Sequence, residues 1–146
     1  MNKYFAFLLL LSVFIISGCN NSDELVGQTF NVAYMPVLQE DLDNPNKYSS
    51  IMTLEFLEGK RVTSPIYGEG SYELDEDNLV VRFEKENEDL EILFVVTESD
   101  KDFSEYNALI SETDYSITDT DQIRHLQTLA LELDKDRPIE FINNQK

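Results

Sequence analysis

The residue types that carry most enzyme chemistry are scarce in this chain. It holds one cysteine, Cys19, and one histidine, His125. A nucleophile needs an adjacent base, and a zinc site needs several clustered ligands. No Ser-His-Asp or Cys-His set can be assembled around a lone histidine. His125 falls at the edge of a helical apolar stripe, where histidine is a boundary residue. The five glycines, two of them in Gly68-Glu69-Gly70, form no phosphate-cradling loop. Carboxylates are plentiful instead, as in Asp41 and Asp43, Asp75 and Asp77, Glu86 and Glu88, and Asp119 and Asp121. Calcium wants several such hard oxygens. Yet Asp75-Glu76-Asp77-Asn78-Leu79 departs from the EF-hand loop, and with 29 acids in 146 residues close pairs arise by chance. Two carboxylates acting on a glycosidic bond would also need a cleft to hold the sugar. The expectation is a protein that is not an enzyme and has no metal and no cofactor.

Cys19 has chemistry of another kind. The chain opens Met1-Asn2-Lys3, followed by an apolar run from Tyr4 to Ile16 broken only by Ser12. A helix over that run rises about 20 Å, short of the roughly 30 Å hydrocarbon core of a bilayer. A charged start, a short apolar run and small residues form a secretory signal rather than a membrane span. Ile16-Ser17-Gly18-Cys19 then resembles the lipobox of bacterial prolipoproteins. That resemblance implies a diacylglycerol on the Cys19 thiol and cleavage between Gly18 and Cys19. It also accounts for a single cysteine in an exported chain, which has no disulfide partner. Two or three acyl chains hold a protein to a membrane far more firmly than one.

The charges bound the partners. The chain carries 11 Lys+Arg against 29 Asp+Glu. Residues 1–18 contain Lys3 and no acid, so the mature chain is more acidic still. Such a balance repels phosphates and anionic headgroups and excludes nucleic acid as a partner. Residues 19–24 form a lipidated tether of at most about 18 Å beyond the cysteine. The domain is therefore expected on the extracytoplasmic face of the cell membrane, as a monomer.

The elements that position side chains read mostly as strands. Phe30, Val32 and Tyr34 alternate with polar or small residues, as do Met52, Leu54 and Phe56, then Tyr72 and Leu74, then Leu79, Val81 and Phe83. Arg61–Thr63 gives a short strand limited by Pro65. Leu90, Ile92, Phe94 and Val96 line one face of a further strand, and Leu93 and Val95 on its other face predict burial on both sides. Tyr106–Ile110 and Tyr115–Ile117 predict two shorter strands. The period then changes: Ile123, Leu126, Leu129, Ala130 and Leu133 form one stripe of a helix ending near Asp134, before Pro138. Thr118 and Asp121 have the spacing of a capping box at its start. Ile139–Ile142 reads as a last strand and 143–146 as a tail. Residues 25–142 thus predict a mainly β domain, a small antiparallel up-and-down barrel with one C-terminal α-helix, with a β-sandwich as the alternative.

Leu25-Val26-Gly27-Gln28-Thr29-Phe30 resembles the opening of the calycin barrels, the superfamily that includes lipocalins, whose first strand begins with a glycine followed shortly by an aromatic. The order of strands, helix and short final strand is similar as well, so the resemblance spans residues 25–142. Lipocalins carry tryptophan two residues after the glycine; here Phe30 stands three residues after Gly27 and the chain has no tryptophan. Arg124 sits in the helix rather than in the place of the family's late arginine. The shortness of the chain implies a reduced barrel. The resemblance implies non-enzymatic binding of a small apolar or amphiphilic ligand by inward aromatics: Phe30, Tyr34, Phe56, Tyr72, Phe83 and Phe94. The same side chains could instead fill the core, as in many small barrels. The alternative function is an acidic interaction module for a cationic peptide, wall polymer or basic protein.

Overall fold

A computed structural model describes residues 24–121 and 124–144. The lipobox with Gly18 and Cys19, most of the tether, and Ile123 of the helical stripe lie outside these residues. Eight strands, β1 (Thr29–Tyr34), β2 (Ser49–Leu57), β3 (Arg61–Ser64), β4 (Gly68–Asp75), β5 (Asn78–Glu84), β6 (Glu88–Glu98), β7 (Ser104–Ile117) and β8 (Ile139–Asn143), pair antiparallel in sequence order. β8 returns to β1, with Tyr34 opposite Ile139 and Phe30 opposite Asn143, so the sheet is a closed barrel rather than a sandwich. Closure leaves no strand at an edge, and β3 is short, as Pro65 predicts, without being one.

The alternation of the sequence is the inside and outside of this barrel. Leu79, Val81 and Phe83 are buried while Glu84 and Asn78 are exposed. The turns follow local chemistry: Gly59 (φ 74) and Lys60 (φ 59) take left-handed conformations between β2 and β3. Glu76 does the same (φ 52) between β4 and β5.

The expectations for β7 and for the start of the helix need correction. Tyr106–Ile110 and Tyr115–Ile117 belong to one 14-residue strand, β7. The register slips at Leu93/Phe94, where Leu93 faces Glu112 and Phe94 faces Ile110, leaving Ser111 as an extra residue. Such a bulge switches the inward set from Tyr106, Ala108 and Ile110 to Thr113 and Tyr115, and the break in parity reads as a gap. The capping box is not formed either. The one α-helix among the described residues, α1 (Leu126–Glu132), has His125 at its N-cap with no side-chain cap of its own. Thr118 instead donates its backbone N–H to the Asn87 carbonyl at 2.9 Å.

Both ends of the barrel are covered. Leu126 and Leu129 of α1 are fully buried at the end where β7 gives way to β8. Leu25 is buried ahead of β1, in a turn where the Gln28 N–H donates to the Leu25 carbonyl at 3.0 Å. A second small core lies outside the barrel wall. Ala33, Tyr48 and Ile142 pack there with Met35 and Phe103, drawing in the β1–β2 and β6–β7 connections.

Candidate functional site

The six aromatics expected to line a ligand site all point into the barrel and all sit in one core cluster. Their relative exposures run from 0% for Phe30, Phe56, Phe83 and Phe94 to 1% for Tyr72 and 5% for Tyr34. A cavity large enough for one water would leave accessible surface on its lining, so no such space adjoins the four phenylalanines. The rings meet edge to face. Phe56 and Tyr72 are 4.8 Å apart between centroids, Phe30 and Phe56 6.0 Å, Phe30 and Phe141 5.8 Å, and Phe94 and Phe141 5.5 Å. This is the geometry of favourable aromatic packing. These rings pack against one another in the barrel interior.

Tyr34 also makes polar contacts. Its hydroxyl donates to the Glu132 carbonyl at 3.0 Å and accepts from the Asp134 N–H, so it ties down the C-terminal end of α1. The Arg137 guanidinium lies 4.3 Å from the centre of its ring. Burial pushes the Tyr34 phenol above its ordinary range.

The N-terminal end of α1 is held by Glu88, whose functional place spacing alone does not reveal. Its carboxylate accepts the His125 N–H at 2.6 Å, the Leu126 N–H at 3.2 Å and the Gln127 N–H at 3.3 Å, together with the Tyr115 hydroxyl at 2.8 Å. A helix leaves its first N–H groups without internal partners, and a carboxylate there also meets the positive end of the helix dipole. Desolvation would raise the Glu88 pKa, but the hydrogen bonds from Tyr115, His125, Leu126 and Gln127 outweigh it and hold the group below its ordinary value. The expected pair is thereby divided: Glu88 is 1% exposed, while Glu86 faces solvent. His125 contributes its backbone, and its side chain is exposed.

A second buried carboxylate, Glu140, lies on the outer side of β8. It accepts from Ser104 Oγ at 2.7 Å, Ser99 Oγ at 2.9 Å and Asn107 Nδ2 at 3.2 Å, and pairs with Lys101 Nζ at 3.4 Å. Burial would lower the Lys101 pKa, but Glu140, Tyr48 and Asp100 together outweigh it and raise it. Every oxygen of this carboxylate is engaged, so the cluster fastens the β6–β7 connection to the barrel. It offers no free base or nucleophile.

The outer wall of β4–β7 is rich in charged side chains. Its register places Ser71, Arg82, Glu91 and Asp114 in one row across four strands. The row beside it runs Glu73, Val80, Leu93 and Glu112. Glu84 stands directly opposite Asp89, and Glu91 directly opposite Asp114. Like charges so placed destabilise a sheet. Arg82 is the one cation of these rows; it pairs with Glu91 and lies 3.7 Å from Glu73. A shallow depression of about 210 Å³ opens beside it, between Glu84, Asp89 and Asp114.

Of the remaining carboxylate pairs, Asp41 is half-buried and Asp43 exposed, Asp75 at the end of β4 and Asp77 in the following turn are exposed, and the Asp119 side chain accepts the Asp121 N–H at 3.0 Å. Among the described residues no group of three or more His, Cys, Asp or Glu could hold a metal ion. No described helix is long and apolar enough to cross a membrane. No protein-family model, curated protein or solved structure matches the chain.

Proposed function

We propose that this chain is an exported lipoprotein, anchored through diacylglycerol on Cys19, whose barrel serves as a non-enzymatic interaction module for a basic partner at the extracytoplasmic face of the membrane. The observation that carries this reading is the outer wall of β4–β7. It keeps the pairs Glu84–Asp89 and Glu91–Asp114 directly opposed, at a cost in stability that a cationic partner would offset. The barrel as a carrier of an apolar ligand is the weaker reading, because Phe30, Phe56, Phe83 and Phe94 would have to part before anything could enter.

The mature chain, residues 19–146 with Cys19→Ser, contains the whole barrel and tests this directly. Titration with a decalysine peptide in about 20 mM salt should give saturable heat, and the affinity should fall at least tenfold in about 300 mM salt as the Debye length shortens. Glu91→Gln with Asp114→Asn should weaken binding further. Saturable uptake of a long-chain fatty alcohol, with no response to decalysine, would reverse the choice in favour of the ligand carrier.

A further inference from the structure

The outer wall of β5–β7 carries apolar side chains as well as acids. Val80 faces Leu93 across the β5–β6 pair, and Val95 faces Leu109 across the β6–β7 pair. Leu93 and Val95 are two apart on β6 and so share a face. The four side chains therefore form one contiguous patch on the convex side of the sheet. The two-sided burial predicted for β6 does not occur: on its outer face Leu93 is half-buried and Val95 is 39% exposed, and Leu109 of β7 beside Val95 is 47% exposed. An exposed apolar patch with a polar rim is a mark of an interaction surface. Here the rim is mainly acidic, with Arg82 beside Val80 as its one cation. Glu73 lies opposite Val80, Glu112 lies opposite Leu93, and Glu91 precedes Leu93 on the same face of β6.

From this juxtaposition we infer that Val80, Leu93, Val95 and Leu109 form the docking surface for an amphipathic basic segment, one that presents apolar side chains flanked by lysine or arginine. The inference rests on the interaction-module reading and names the partner class for that same wall. Charge decides between the occupants an apolar patch could take. A second copy docked about a twofold axis would bring Glu73, Glu91 and Glu112 against their own kind, and like-charge juxtaposition costs several kcal/mol. Anionic headgroups meet the same repulsion. A segment with basic flanks satisfies the rim and the patch together, and the apolar contact adds affinity that salt does not screen.

Two synthetic peptides of equal charge, one of leucine and lysine with all leucines on one helical face, the other with serine replacing leucine, separate the contributions. The mature chain should bind the leucine peptide at least tenfold more tightly. Val95→Thr with Leu109→Thr retains strand-forming residues. It should remove that preference while leaving the serine peptide's affinity unchanged. Should the threonine variant fail to fold, as judged by circular dichroism, Glu112→Lys serves instead and should weaken both peptides. A preference that survives a folded threonine variant overturns the inference, as does a wild-type dimer that the variant dissociates. Equal affinity for the two peptides removes the apolar patch from the account and leaves the acidic module standing. Binding of neither peptide removes both.

Discussion

Glu88 is a buried carboxylate held by hydrogen bonds, and its position in the fold explains why it is ionised. Four donors converge on it, three of them N–H groups at the start of α1. Glu88→Gln preserves the shape but turns half of the acceptor into a donor that faces N–H groups. The loss is that of hydrogen bonds to a buried charged group, about 1–3 kcal/mol. The folded pKa of Glu88 lies below its ordinary value of 4.5. Its contribution to stability is therefore complete above about pH 4.5 and disappears as the pH falls through the lower folded value. Thermal melts should show a smaller difference between wild type and Glu88→Gln at pH 3 than at pH 7. A difference that does not change with pH would mean that the ionised form is not what holds the helix. Spacing made Glu88 legible in one respect: it continues the inward series of Leu90 and Ile92. Its acidity masked that signal, because the Glu86–Asp89 run reads as a solvated turn, and the α1 N-terminus that it serves is 37–39 residues away.

At the scale of elements, what could be read from the sequence and what could not divide along the range of the interactions. Period-two alternation marks β1, β2, β4 and β5 because one face of each meets the core and the other meets water. Glu140 also alternates correctly to the outside of β8, yet it is fully buried. Its cover comes from the β6–β7 connection, and no local pattern announces which loop folds back on which strand. The Ser111 bulge is equally silent, since an extra residue shows only as a change of parity. Gly70 illustrates the same point for a single contact between strands. A Cβ there would lie 2.2 Å from the Arg82 carbonyl oxygen and 3.0 Å from a ring carbon of Phe83. Gly70→Ala must push β4 from β5, because the nearest obstacle is backbone. It should cost about 1–3 kcal/mol, as overpacking does, lowering the melting temperature by about 5–10 °C. Gly59→Ala is the informative comparison, since a Cβ there meets nothing within 4 Å and only its positive φ is strained. A Gly70→Ala protein no less stable than Gly59→Ala would show that the β4–β5 pair is looser than its register implies.

For the molecule as a whole, 29 acids against 11 basic residues make self-repulsion a standing cost of the compact state. Ion pairs do little to relieve it on the β4–β7 wall, where Arg82 alone answers Glu73 and Glu91. Salt screens repulsion between exposed charges, with a Debye length falling from about 10 Å at 0.1 M to about 3 Å at 1 M. Raising sodium chloride from about 20 mM to 500 mM should therefore raise the melting temperature of the mature chain. The same salt should weaken its hold on a lysine-rich peptide. The two responses have opposite signs because one screens repulsion within the molecule and the other screens attraction to a partner. If the acids serve solubility alone, differential scanning calorimetry would show the first response and a peptide titration would show no binding to weaken. A melting temperature that falls with salt would contradict the premise of both, since it would mean that attractive pairs dominate the surface. Acid should remove one support of the fold: as the pH falls below 4.5 and through the lower folded value of Glu88, protonation releases the anchor at the start of α1, so the wild type should lose stability over that range more steeply than Glu88→Gln does.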